Sequence, residues 1–149
     1  MNPEIRAQSS ELRRGISRPK AGAADEKIGS GSYTPGAYRN LKVWQRAIDL
    51  SVTIYKFTSH FPGSELYGLT SQLRRAAVSV ASNIAEGYGR ASKGEFRQFI
   101  GIARGSVLEL QTQLEIAKQL GFGKEPLRLA AQALAEEAGK MTWALMQRL

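Results

Sequence analysis

Very little of this chain is equipped for covalent chemistry. His60 is the only histidine and cysteine is absent, so most nucleophile–base pairs, and metal sites built on thiolate or imidazole, lack their parts. His60 stands beside Phe61-Pro62 at an expected helix end and reads as a C-terminal helix cation or a surface residue. Paired metals in helical bundles use Glu-x-x-His on facing helices. That pattern does not occur in the sequence. Glu136 and Glu137 are neighbours on an expected helix and point about 100° apart, so they do not form an acid–base pair on one substrate. The stretch Gly87-Tyr-Gly-Arg-Ala-Ser-Lys-Gly94 has the look of a phosphate loop. A helix rather than a strand precedes it, however, and its spacing fits no nucleotide-binding fingerprint. Ser79, Ser82, Asn83 and Glu86 form a polar strip without a partner base, better suited to fixing helix register or capping the next turn than to catalysis. The expectation is a protein that is not an enzyme and needs no cofactor or metal.

What remains is positive charge. The 149 residues carry 21 Lys+Arg against 13 Asp+Glu, a formal charge of +8, with a pI near 10.0. Residues 38–104 hold ten basic and four acidic groups, whereas residues 105–149 hold five of each. The excess therefore sits on the first part of the folded region.

The elements that must position these charges are helical. Leu41, Trp44, Ile48, Val52 and Tyr55 recur at spacings of three and four, and Val43, Leu50, Ile54, Phe57 and Phe61 line a second stripe before Pro62-Gly63 ends the element. A second helix is expected from about Leu66 to Glu86, with the small-residue stripe Leu69, Leu73, Ala76, Ala77, Val80 and Ile84, and a stop at Gly87. Ser92 and Glu95 form a capping box that opens a third helix, which Gly121-Phe-Gly123 stops. Pro126 sits in the first turn of a fourth, with Leu127, Ala131, Leu134, Ala138, Met141 and Leu145 as its stripe. No strand pattern appears in residues 38–149. Four such helices joined by short connections predict an all-α, up-down-up-down antiparallel four-helix bundle. The doubled stripe of the first helix, with Trp143 and Leu149 off the fourth stripe, exceeds what one interior consumes and points to self-association.

Residues 1–37 are rich in Ser, Gly, Ala and charge and cannot bury enough to offset ordering, which predicts a flexible N-terminal arm with a transient helix around Ser10–Arg14. The folded domain is expected over 38–149. No apolar run approaches the ~20 residues that span a bilayer and no signal-peptide segment opens the chain, so a cytoplasmic protein is expected.

Antiparallel folding brings the start of the first helix, the turn between the second and third, and the end of the fourth to one end of the bundle. Arg39, Lys42, Arg46, Arg90, Lys93, Arg97, Lys140 and Arg148 meet there, near Asp49, Glu86 and Glu95. Such a patch beside the free N–H groups of a helix start suits phosphate oxygens, with Tyr88 placed to stack on an unpaired base. Arg74 and Arg75, nearer the other end, are a candidate second contact.

Several segments also carry a family likeness: Leu41-Lys-Val-Trp44, Phe61-Pro62 with Glu65-Leu-Tyr-Gly-Leu-Thr70, Gln72-Leu-Arg-Arg, Ser82-Asn-Ile-Ala-Glu-Gly87, and Ile102-Ala-Arg-Gly-Ser106 with Glu109-Leu110. Together they resemble the four-helix-bundle proteins encoded in intervening sequences of bacterial large-subunit ribosomal RNA genes. That family includes the accessory variability proteins of diversity-generating retroelements. The resemblance implies a barrel-like homopentamer with a basic surface, which in the retroelement branch binds nucleic acid and a reverse transcriptase. It brings no catalytic residues. The resulting expectation is an oligomeric accessory protein that grips RNA or DNA backbone. The competing expectation is a scaffold that docks a partner such as a reverse transcriptase.

Overall fold

The structure is a computed structural model and describes residues 34–149. Residues 1–33, with most of the expected arm and its transient helix, lie outside the described residues. The described chain opens with a turn in which the Ala37 N–H donates to Thr34 O, followed by a short 3₁₀ segment, Ala37–Asn40. Four helices follow: α1 (Lys42–Thr58), α2 (Leu69–Tyr88), α3 (Lys93–Leu120) and α4 (Glu125–Arg148). Among the described residues there is no strand.

The order is up-down-up-down. Each helix packs on its two neighbours, α1 closes onto α4, and the diagonal pairs do not meet. Contacts between helix beginnings and ends fix the direction: Arg46 near the start of α1 meets Glu137 on α4, and Arg97 near the start of α3 meets Met146 at the end of α4. The four-helix antiparallel bundle expected from the periodicity is the fold observed.

Of the two apolar stripes on α1, the core takes one. Val43, Ala47, Leu50, Ile54 and Phe57 are buried, while Trp44 and Ile48 are half-buried and Val52 and Tyr55 exposed. The same core holds Leu73, Val80 and Ile84 of α2, Ile100, Val107 and Leu110 of α3, and the alanines 131, 135 and 138 of α4. Each large side chain buried in this way stabilises the fold by about 1.5–3 kcal/mol relative to exposure.

Three helix boundaries differ from those expected. α1 stops at Thr58 rather than continuing to Phe61. There the Thr58 hydroxyl donates to Ile54 O and the Ser59 hydroxyl to Lys56 O, local bonds that compete with helix propagation. α2 begins at Leu69, because a 3₁₀ turn over Gly63–Glu65 intervenes and the Glu65 carboxylate accepts the Leu69 N–H at 3.0 Å. Gly87 does not stop α2. It lies buried within the helix, where an added Cβ would stand 2.6 Å from the Phe99 Cβ, so its role is close approach of α2 to α3.

The other signals act as their chemistry dictates. Ser92 accepts the Glu95 N–H at 3.2 Å and caps α3. At the far end Gly121, at φ 70°, closes a Schellman turn in which the N–H groups of Phe122 and Gly121 donate to Ala117 O and Lys118 O. Gly123 then lies against Phe57 and Phe61, whose rings stack edge to face at 4.9 Å. Pro126 occupies the first turn of α4.

Candidate nucleic-acid interface

The polar strip on α2 is an interhelical lock. The Ser79 and Ser106 hydroxyls lie 2.8 Å apart across α2 and α3, and Asn83 Nδ2 donates to both Ser79 Oγ and Ser79 O. Ser51 adds a bond from α1 to Ala77 O at 3.0 Å. With Gly87 packed on Phe96 and Phe99, these contacts fix the α2–α3 turn that carries Arg90 and Lys93. Ser82 faces solvent and Glu86 turns to Arg90.

Topology brings the expected cations to one end, but their charges are not all free. Arg46 donates to Glu137 at 2.9 Å and to Asp49 at 3.2 Å. Partial burial alone would lower the Arg46 pKa, yet the bonds and charges of Glu137 and Asp49 outweigh it and hold the guanidinium above its ordinary value. Arg46 therefore stays charged throughout the neutral range and stays neutralised. Arg90 pairs with Glu86 at 2.7 Å, with its guanidinium 4.7 Å from the Phe99 ring centre. Arg97 donates to Met146 O, at the negative end of the α4 dipole. Of the eight cations expected at this end, Arg46 and Arg90 are tied to carboxylates and Arg97 to a helix end.

Arg39, Lys42 and Lys93 are exposed, and among the described residues none of them forms an ion pair. Arg39 leans over Tyr38 and Trp44, whose rings pack edge to face. This orients a guanidinium without neutralising it. Lys93 is the first residue of α3, where the first-turn N–H groups of Lys93 and Gly94 have no intrahelical acceptor. Lys140 is likewise exposed and unpaired, further along α4, and Arg148 closes that helix.

Tyr88 is half-buried with its ring edge on Phe96, so it serves the α2–α3 joint more than an open stacking surface. Arg74 and Arg75 lie near the opposite end. Arg74 donates to Thr58 Oγ1 at 2.9 Å and covers the Tyr55 ring at 4.5 Å, while Arg75 is exposed. Both line an open groove of about 950 Å³ running from α1 over α2 to Glu109 of α3. Tyr67, also in that groove and 94% exposed, was not anticipated from the sequence. Nothing in its neighbourhood distinguishes it from a helix-start residue until the intervening 3₁₀ turn is seen.

His60 is exposed against Ser59, Glu136 is exposed, and Glu137 holds Arg46. Among the described residues no three His, Asp or Glu side chains converge as a metal site requires. No helix there is long and apolar enough to cross a membrane.

The model of the 23S rRNA-intervening sequence protein family matches residues 39–144. The chain belongs to that family. The match takes in every candidate contact from Arg39 to Lys140 and leaves Arg148 outside. Among solved structures, this intervening-sequence protein is similar to a protein of unknown function from the S23 ribosomal protein family of Bacteroides thetaiotaomicron VPI-5482. The TM-score is 0.65 at 17% identity, over 70% of this chain and 95% of that one, a likeness of fold. Comparison with curated proteins gives no match.

Proposed function

We propose that this intervening-sequence protein is a non-catalytic, homo-oligomeric accessory protein that holds RNA or DNA by its backbone, working in the cytoplasm. One observation carries the reading: Arg39, Lys42 and Lys93 come from separate elements to one end of the bundle and remain exposed and unpaired beside the N-terminus of α3. Free cations next to unsatisfied N–H groups are what phosphate oxygens bind. Membership in a family named for ribosomal RNA genes supports the same reading.

Self-association is supported by apolar residues left in water on α3 and α4: Leu108, Ile116, Leu120, Leu129 and Trp143 are each about half exposed. A fivefold ring, as in the proteins this chain resembles, would repeat the unpaired cations around an axis and multiply phosphate contacts. The unpaired cations also favour a second reading, a scaffold for a reverse transcriptase or another acidic protein, as the family resemblance implies for its retroelement branch.

The test is binding of a labelled RNA hairpin under salt titration. Each subunit that engages through Arg39, Lys42 and Lys93 should contribute about −2 to −3 to the slope of log affinity against log salt, a loss of roughly 20- to 40-fold over a fourfold rise in salt. The triple variant R39E/K42E/K93E should abolish binding with its helical spectrum intact. Affinity that ignores salt, or survives the triple variant, overturns the reading. Capture of a protein partner without RNA binding moves it to the scaffold.

A further inference from the structure

The groove across α2 has a composition that the unpaired cations at the other end do not. We propose that it binds single-stranded nucleic acid, stacking bases on Tyr67 and on the guanidinium plane that Arg74 lays over Tyr55, while Arg75 holds phosphate. This assignment rests on the nucleic-acid reading above and adds a second, strand-selective site to it.

Tyr67 sits in the turn between the 3₁₀ segment Gly63–Glu65 and α2, and at 94% exposure its ring packs on nothing. An aromatic ring left fully in water gives the fold no burial energy, whereas either face of it can take an unstacked base. Tyr55, which also lines the groove, is 47% exposed and has the Arg74 guanidinium 4.5 Å from its ring centre. Arg74 is itself held by Thr58 Oγ1, so ring and guanidinium are oriented before any ligand arrives. Arg75, the next residue of α2, also lines the groove, exposed and without an ion pair among the described residues.

The charge balance favours an anion. Two arginines face a single groove carboxylate, Glu109, and that carboxylate is already occupied by Gln113 Nε2 at 3.2 Å. On the lining, Ser71 and Gln72 supply donors for sugar and base edges. The volume, about 950 Å³, accommodates a few nucleotides of one strand but not a duplex, whose bases are already stacked on each other. Aromatic rings interleaved with arginines along a concave path are the general means of binding unpaired strands without reading their sequence.

The test uses the full chain and two probes: an unstructured A/C-rich RNA strand of about 12 nucleotides, with its deoxy counterpart, and a blunt duplex of equal length. Tyr67→Ala should weaken strand binding about tenfold and leave duplex affinity unchanged, and Tyr67→Phe should restore it. Arg75→Glu should weaken strand binding further and flatten its salt slope by about 0.7. Tyr67 and Arg75 are exposed, so neither change threatens the fold. Duplex binding with strand affinity indifferent to both substitutions overturns the groove assignment alone. Absence of binding to any probe overturns it together with the broader reading. A drop in native mass for Tyr67→Ala, with strand affinity unmoved, would overturn it in favour of a contact between copies of the chain.

Discussion

Gly87→Ala is the sharpest structural perturbation available, because it acts on the joint that holds the α2–α3 turn and the Lys93 helix start. A methyl at this buried position would lie 2.6 Å from the Phe99 Cβ, 3.0 Å from the Phe96 Cδ2 and 3.3 Å from the Phe96 carbonyl oxygen. The Phe99 Cβ is fixed to the backbone, so no rotamer change relieves the first contact and the helices must move apart. Overpacking of this kind costs about 1–3 kcal/mol. Alanine offsets up to about 1 kcal/mol through its better helix propensity. Because the 2.6 Å contact is relieved only by backbone movement, the cost lies in the upper part of that range, at about 2–3 kcal/mol, and the net loss should be about 1–2 kcal/mol, lowering Tm by roughly 4–8 °C for a domain of this size. Gly105→Ala is the matched control: it lies in α3 with nothing within 4 Å of an added Cβ. It should gain about 1 kcal/mol, with a higher Tm. Thermal unfolding followed by circular dichroism reads both. A Gly87→Ala variant as stable as the parent, or shifted in the same direction as Gly105→Ala, would refute the close-approach argument.

Asp49→Asn combined with Glu137→Gln removes both carboxylates that neutralise Arg46, at 3.2 Å within α1 and 2.9 Å across to α4. Since all three side chains are partly solvated, each pair lost should cost no more than about 1 kcal/mol of stability. RNA affinity should rise, and its salt slope should steepen by about 0.7–0.9, as expected for one additional free cation; an unchanged slope would show that Arg46 does not face the ligand. Ser79→Ala and Ser106→Ala should each cost about 1 kcal/mol, and the double variant should cost less than their sum, because the two hydroxyls share one bond. Strict additivity in urea unfolding would show that the lock is not a coupled pair.

Local signals were legible wherever the physics is local. The Ser92–Glu95 box, the Gly121 stop and Pro126 act within one turn of chain and function as their residue types dictate. So does the i, i+4 pair of Glu86 and Arg90, which the spacing alone allows. Long-range competition was not legible. Glu137 lies 91 residues from Arg46, and no pattern along the chain says that α4 will withdraw that charge from the basic end. Gly87 carries the same residue type as a helix stop, and only the position of Phe99 reveals its role in packing. The two stripes of α1 were equally apolar in sequence, and the neighbouring helices decided which was buried. Arg128 was unanticipated: it is almost fully buried at the start of α4, between Glu125 and Gln132.

The ring contacts among Phe57, Phe61 and Phe122 join the tail of α1 to the α3–α4 turn, more than sixty residues further on. Loops of that length close late, after the hairpins on either side of α2. During synthesis, α1, α2 and α3 can therefore pair while Glu125–Arg148 is still inside the ribosome, leaving an open trough with one missing wall. The three rings, one of them only three residues ahead of Glu125, mark the corner about which that wall is lowered.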